Sequence, residues 1–253
     1  MMRQSLYCLF DIGNTRCKWA MTYAGDHAPI RLTDSLPTLE LADGEALACQ
    51  LCSLPVPDHV AVANVAGAAV AETLLNILKL IWPDVDIQFI RSEASCCGVV
   101  SGYLKPETLG VDRWLGLLAA RSLYRHRPVC LASLGSALTI DFMDADGMHL
   151  GGTIAPGLGL QLQALSSLLG VAVSSGQAAV SWYGRDTQQA GASGALLLLA
   201  SAVHMARSQY PDACLLLTGG DAPALLPYLG EHLAYHESLV FEGMRCWLLA
   251  RGI

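Results

Sequence analysis

One pattern occurs twice in this chain: a short apolar run, a glycine turn and a second apolar run. The first copy reads LFDIGNTRCKWAMTY over 9–23, with apolar arms at 5–10 and 16–23. The second has arms at 128–133 and 137–143 around Leu134-Gly135-Ser136, then an Asp144-Ala145-Asp146-Gly147 turn and a third arm at 148–154. Apolar runs joined by such turns specify antiparallel hairpins. Alternating elements follow each copy. After the first come a strand at 59–65, a helix at 70–82 and a strand at 86–90; Val70, Leu74, Ile77, Leu78 and Ile81 form the helical stripe and Pro83 ends it. A helix from Gly110 to about His126 leads into the second copy. Beyond that lie a helix opened by Pro156 and reaching Leu169, a long helix at 187–209, a strand at 213–218 closed by Gly219-Gly220 with a helix after it, and a last helix at 242–250. The repeat predicts an α/β fold made of a duplicated unit, divided into 1–115 and 116–253, with a cleft between the halves. No linker rich in Pro, Gly or Ser marks the division.

The 253 residues are 53% apolar and only 15% charged, which calls for an extensive core or a large subunit interface. The apolar run at 190–203, AGASGALLLLASAV, is too short for a membrane span and reads as a buried helix. The N-terminal MMRQSLYCLF lacks the long apolar segment of a signal peptide, so a cytoplasmic location is expected. Nine cysteines, an odd number, then argue for reduced thiols. Cys49-x-x-Cys52 has no second pair or histidine at zinc-ligand spacing. Adjacent Cys96-Cys97 reads as small buried filler. The net charge of −7 counts against a nucleic-acid partner but not against a small anion held by local donors.

Four segments carry possible chemistry, and each has a plainer structural reading. At 11–18, Gly13 lets backbone N–H groups approach phosphate oxygens, Thr15 adds a hydroxyl and Lys18 a point charge. Asp11 would repel phosphate, so its natural partner is Mg2+ or the metal's water shell. The Walker pattern is absent. The plainer reading is a hairpin turn. Asp112 and Arg113 open the helix after Gly110. A carboxylate suits a helix start through the dipole; as chemistry, Asp112 can accept a hydroxyl proton and Arg113 can grip a carboxylate or phosphate. Gly135-Ser136 repeats the first turn, and Gly151-Gly152 within a strand marks a bulge or close backbone approach to a ligand. Gly219-Gly220 lies at a strand-to-helix turn, a place where nucleotides meet α/β domains.

Together these are the parts of a two-domain phosphotransferase. Asp11-Ile12-Gly13-Asn14-Thr15-x-x-Lys18, Gly110-Val111-Asp112-Arg113 and Gly151-Gly152-x-Ile154-x-Pro156-Gly157 resemble, in order and spacing, the three signature motifs of type III pantothenate kinases, a family that includes proteins called Bvg accessory factors. The resemblance implies the acetate and sugar kinase/Hsp70/actin (ASKHA) fold, two RNase-H-like halves closing on ATP. It implies ATP-dependent phosphorylation of pantothenate to 4′-phosphopantothenate, the first step towards coenzyme A, by a homodimer. Asp11, Ile12, Gly13, Asn14, Thr15, Arg16, Cys17 and Lys18 would hold the ATP phosphates and, indirectly through Asp11, Mg2+. Ser136 would contact ATP where the family usually has threonine. Asp112 would accept the proton. Tyr103, Gly110, Val111, Asp112 and Arg113 would line the pantothenate site, and Thr187 would reach substrate across the dimer interface.

One position departs from the family pattern. Ser133 stands where many members carry an aspartate that binds a monovalent cation such as K+. A hydroxyl is a poorer ligand for a hard cation than a carboxylate, so turnover is expected to depend little on K+. The same departure admits a rival expectation, a nucleotide-binding regulatory or accessory protein with weak or absent turnover; separately, Arg113 would equally suit the carboxylate of another small hydroxy acid, so a kinase for a different acceptor is a third reading. Fold alone does not decide between them.

Overall fold

The computed structural model describes residues 5–25, 30, 32–177, 183–230 and 233–253. Both predicted hairpins form. β1 (Leu6–Ile12) turns through 13–15 into β2 (Arg16–Tyr23), and β3 (Asp34–Pro37) adds antiparallel to β2. A 3-10 turn (Thr38–Ala42) and α1 (Glu45–Cys52) precede β4 (His59–Asn64), α2 (Ala68–Ile81) and β5 (Asp86–Phe89). The sheet order is β3-β2-β1-β4-β5, antiparallel on the β2 side of β1 and parallel on the β4 side. Two two-residue strands follow, β6 (Ser95–Cys96) and β7 (Val99–Val100), then a 3-10 turn (Pro106–Thr108) and α3 (Val111–Leu123).

The second sheet repeats the first. β8 (Val129–Leu134), β9 (Ala137–Met143) and β10 (His149–Pro156) form the antiparallel part. α4 (Leu158–Leu169) and α5 (Thr187–Gln209) lead to β11 (Cys214–Thr218), short α6 (Leu226–Leu229), β12 (Ala234–Tyr235) and α7 (Leu239–Leu249). The order β10-β9-β8-β11-β12 matches the first sheet strand for strand, with β11 and β12 again parallel to β8. Pro156 closes β10 rather than opening α4; Gly157 holds the N-cap position.

Contacts group the chain into two units. One comprises 1–97, 103–119 and 238–253; the other comprises 98–102 and 120–237. Each has its own core. In the first, β1 is apolar along nearly its whole length because both faces are covered, and Phe10 and Trp19 pack with Leu41, Leu47, Leu51, Leu74 and Leu78. Leu74, Ile77 and Leu78 are the stripe that turns α2 inward. In the second, Leu134, Ile140, Leu215 and Leu217 from the sheet meet Leu162 of α4 and Leu196, Leu199 and Val203 of α5. Each such buried leucine, isoleucine or phenylalanine contributes about 1.5–3 kcal/mol. Among the described residues α5 alone is long and apolar enough to cross a membrane, by length and composition; seven of its residues are buried in the second unit.

Candidate active site

The first unit gathers the charged groups. Across the β1–β2 hairpin, Asp11 is paired with Lys18 and Ile12 with Cys17. The turn closes where Gly13 N–H donates to Arg16 C=O at 2.9 Å, leaving Asn14, Thr15 and Arg16 exposed. It is held from outside the motif. Thr38 is buried, donates its N–H to Thr15 C=O at 2.9 Å and its hydroxyl to Gly13 C=O at 2.7 Å. Arg16 Nη2 donates to the Ser35 hydroxyl at 2.6 Å, and Val65 N–H donates to Ile12 C=O at 2.9 Å. The loop is thus fixed from β3, the following 3-10 turn and the end of β4. No local pattern in the sequence points to Thr38; its role depends on a contact 25 residues from Gly13.

The Asp11 carboxyl titrates at about 6, well above the ordinary 3.8. Burial is the largest cause; Lys18 pulls the value down and Asp112 pushes it up. Asp11 and Asp112 therefore lie close enough within one unit to feel each other's charge. Asp112 sits in the first turn of α3, and its Oδ1 accepts the Arg113 N–H at 2.8 Å, which fixes the carboxylate. Gly110 C=O accepts the first N–H of the helix ladder, from Trp114 at 3.0 Å, and Val111 is buried. Arg113 is buried, donates from Nη1 to the Tyr103 hydroxyl at 2.6 Å and lies 5.4 Å from the Tyr103 ring centroid. A buried guanidinium with a hydroxyl beside it is a natural seat for a carboxylate. Cys17 is no nucleophile: burial, then the Asp11 charge, pushes its thiol up to about 12.

Asp11 and Asp112 bring two carboxylates near one another, with Lys18 paired to Asp11, and a divalent cation would offset their mutual repulsion. Among the described residues no cluster of three or more His, Cys, Asp or Glu exists that could hold a metal by itself. Two carboxylates suit a hydrated divalent cation that keeps much of its water and shares phosphate oxygens.

The second unit gathers backbone and hydroxyls. Ser136 is exposed on the β8–β9 turn, and its C=O accepts the Gly157 N–H at 3.0 Å. Gly219, with φ +102°, packs so closely that a Cβ there would stand 2.0 Å from Leu134 C=O. Asp221 N–H donates to the same carbonyl at 3.2 Å. The third and fourth sequence segments, far apart in the chain, thus converge on one turn. Ser133 is aligned with Thr139 of β9 on one side and Thr218 of β11 on the other, a row of three hydroxyls. Thr187 is the exposed first residue of α5, behind an Asp186 N-cap whose Oδ1 accepts Gln189 N–H at 2.8 Å. Gly151 and Gly152 lie in β10 at a register shift.

Residues 7–209 match the family model for type III pantothenate kinase. The chain is 37% identical over 244 residues to the type III pantothenate kinase of Stenotrophomonas maltophilia, covering 94% of this chain and 96% of that one. A conserved Baf-family protein from Campylobacter jejuni superposes with a TM-score of 0.63 at 22% identity, over 97% of this chain and 98% of the other. The activator of 2-hydroxyisocaproyl-CoA dehydratase from Clostridium difficile, solved with ADPNP bound, gives a TM-score of 0.52 at 12% identity over 98% and 94% of the two chains. The two matching five-stranded sheets and these neighbours give the fold: duplicated RNase-H-like α/β units of the ASKHA type.

Proposed function

The chain belongs to the type III pantothenate kinase family, and from that premise we propose that it transfers the γ-phosphoryl group of ATP to the primary hydroxyl of pantothenate, giving 4′-phosphopantothenate for coenzyme A synthesis. The observation that carries the reading is the mutual charge of Asp11 and Asp112, with Lys18 paired to Asp11 across the hairpin.

The turn from Gly13 to Arg16 cradles the phosphates through its backbone N–H groups and the Thr15 hydroxyl, with Ile12 and Cys17 as its buried base and Lys18 as a point charge. Asp11 would hold Mg2+ indirectly, and the ion would supply charge neutralisation on the transferring group. Asp112 aligns the attacking hydroxyl and takes its proton late, as a loose transition state permits. Arg113 and Tyr103 receive the pantothenate carboxylate beside Gly110 and Val111. Ser136 contacts ATP, and the chain supplies the two RNase-H-like domains of the kinase.

The working form is a homodimer in which Thr187 of a second copy reaches substrate. What supports this is apolar surface near that helix: Leu198 and Met205 of α5 are 67% and 68% exposed, and Leu168 of α4 is 79% exposed. The enzyme works in the cytosol, a setting in keeping with nine free cysteines. The hydroxyl row at Ser133 supports turnover with little dependence on K+.

A coupled ADP-release assay with ATP and Mg2+ tests the reading. ADP that forms only when pantothenate is added supports it. Nucleotide binding without ADP release would assign a regulator instead, and ADP release with another hydroxy acid but not with pantothenate would assign a different acceptor.

A further inference from the structure

Outside the phosphate site, the first unit holds a second chemical arrangement. Cys96 ends β6 and Cys97 follows it with φ +51°. Both are half-buried rather than the buried filler expected from sequence, and their Sγ atoms lie 3.4 Å apart. Cys97 Sγ–H donates to Cys246 C=O of α7 at 3.3 Å. Arg251 Nη1 donates towards Cys96 Sγ at 3.7 Å. That guanidinium is itself fixed: it stacks 3.6 Å from the Trp247 ring centroid and its Nη2 donates to Glu93 Oε1 at 2.5 Å. Glu93 Oε1 also accepts from Trp247 Nε1 at 2.8 Å.

We propose that Cys96 and Cys97 are a reversible redox site, in which a hydroperoxide oxidises Cys96 and Cys97 closes a disulfide between the two adjacent residues. In the first step the Cys96 thiolate attacks one peroxide oxygen; the O–O bond breaks, Cys96 becomes a sulfenic acid, and hydroxide (or alkoxide) leaves. In the second, Cys97 sulfur attacks the Cys96 sulfur, its proton goes to the departing hydroxyl, and one water is released with the S–S bond. Two electrons pass from the two thiols to the peroxide.

The surroundings divide these roles. Arg251 stands where the attacking sulfur carries negative charge. Cys97 keeps its proton: burial first, then the hydrogen bond with Cys96, pushes its thiol up to about 12. It is therefore a poor first nucleophile, and its sulfur waits at contact distance from the Cys96 sulfur. Adjacent Cα atoms stand about 3.8 Å apart across a trans peptide. That is shorter than the usual disulfide span of roughly 4.4–6.8 Å, so the closed bond is strained and easily reduced. Strain of that kind marks a labile bond rather than a structural one.

The tryptic peptide 92–113 contains Cys96 and Cys97 and no other cysteine, so the pair can be read separately from exposed Cys49 and Cys52. The full-length protein is treated with hydrogen peroxide at a few equivalents, alkylated and mapped. The expected result is a 92–113 peptide lacking two hydrogens, unalkylated, and restored to the dithiol by dithiothreitol. In Cys97→Ser the reaction stops at Cys96 sulfenic acid, which dimedone traps. In Arg251→Ala that labelling slows roughly fivefold or more, the scale expected when the cation beside a thiol is lost. A peptide that stays reduced while Cys49 and Cys52 oxidise overturns the proposal, as does a Cys96 that passes directly to sulfinic acid in the unmutated chain.

Discussion

The β1–β2 and β8–β9 turns occupy the same place in the same topology, and their chemistry is opposite. Asp11 is the next-to-last residue of β1 and Ser133 the next-to-last of β8. Asp11 is paired with Lys18 and Ala63; Ser133 is paired with Thr139 and Thr218. After β4, Val65 donates its N–H to Ile12 C=O; after β11, Gly219 presses directly on Leu134 C=O. A duplicated backbone has thus been given charge in one copy and bare backbone with hydroxyls in the other. The lesson is that topology supplies the turn, while a few residues decide what chemistry it presents.

The largest effect should come from removing the charge that Asp11 feels. Asp112→Ala is expected to lower kcat by roughly 10²–10⁴, the scale of a lost general base. A near-normal kcat would take Asp112 out of the reaction and leave the charged turn as a binding device only. Lys18→Ala should act mainly on ATP use, seen as a raised KM for ATP.

Asp11 permits a sharper test because its charge has a cost. Its pKa is raised from 3.8 to about 6, so the folded state binds the proton more tightly than the unfolded chain. The stability contributed by this group is present below the unfolded value and is lost as pH rises to about 6. Asp11→Asn should therefore raise the free energy of urea unfolding at neutral pH by about 1–3 kcal/mol, with the gain vanishing well below the unfolded value. The same variant should lose most activity. In the unmutated enzyme kcat/KM should fall on the acid side of about 6, as Asp11 gains its proton. A variant destabilised at neutral pH would mean that the pairing with Lys18 outweighs burial. The row of hydroxyls at Ser133 has no such pH signature, which makes this measurement a direct contrast of the two turns.

The turn after β11 should be the less forgiving in steric terms. Gly219→Ala meets both φ +102° and the Leu134 carbonyl, and should cost about 2–3 kcal/mol in chemical unfolding. Val65→Ala, at the corresponding place after β4, leaves the N–H bond to Ile12 intact and should cost less. Equal losses would remove the steric distinction.

How much of this was legible follows from where the signal is carried. Both hairpins could be read because a glycine turn between apolar arms is local: the expected arms 16–23 and 137–143 are β2 and β9. Asp11, Asp112 and Lys18 stood out because charge between apolar runs is rare. β3 and α1 were not read. β3 is four residues held by backbone pairing to β2, and α1 opens at Gly44 with no side-chain cap and buries only Leu47 and Leu51. Thr38 and the Thr139–Ser133–Thr218 row were invisible because cross-strand neighbours leave no trace in sequence spacing. The membership of α7 in the first unit was hidden for the same reason.

The smallest expected effect is also the one that bears most directly on the hydroxyl row. A monovalent cation is held by oxygen ligands, and a carboxylate adds a full charge that a hydroxyl lacks. Ser133 and its two threonine neighbours offer dipoles only, so replacing Na+ with K+ should change kcat by less than about twofold, a barrier difference under about 0.4 kcal/mol. Ser133→Asp gives β8 the carboxylate that β1 carries at Asp11. It should make the K+/Na+ rate ratio rise severalfold while leaving the unfolding midpoint in Na+ little changed. A steep K+ response in the unmutated protein would mean that hydroxyl and backbone oxygens alone suffice to seat the ion. The contrast between the two turns would then rest on phosphate chemistry and not on cations.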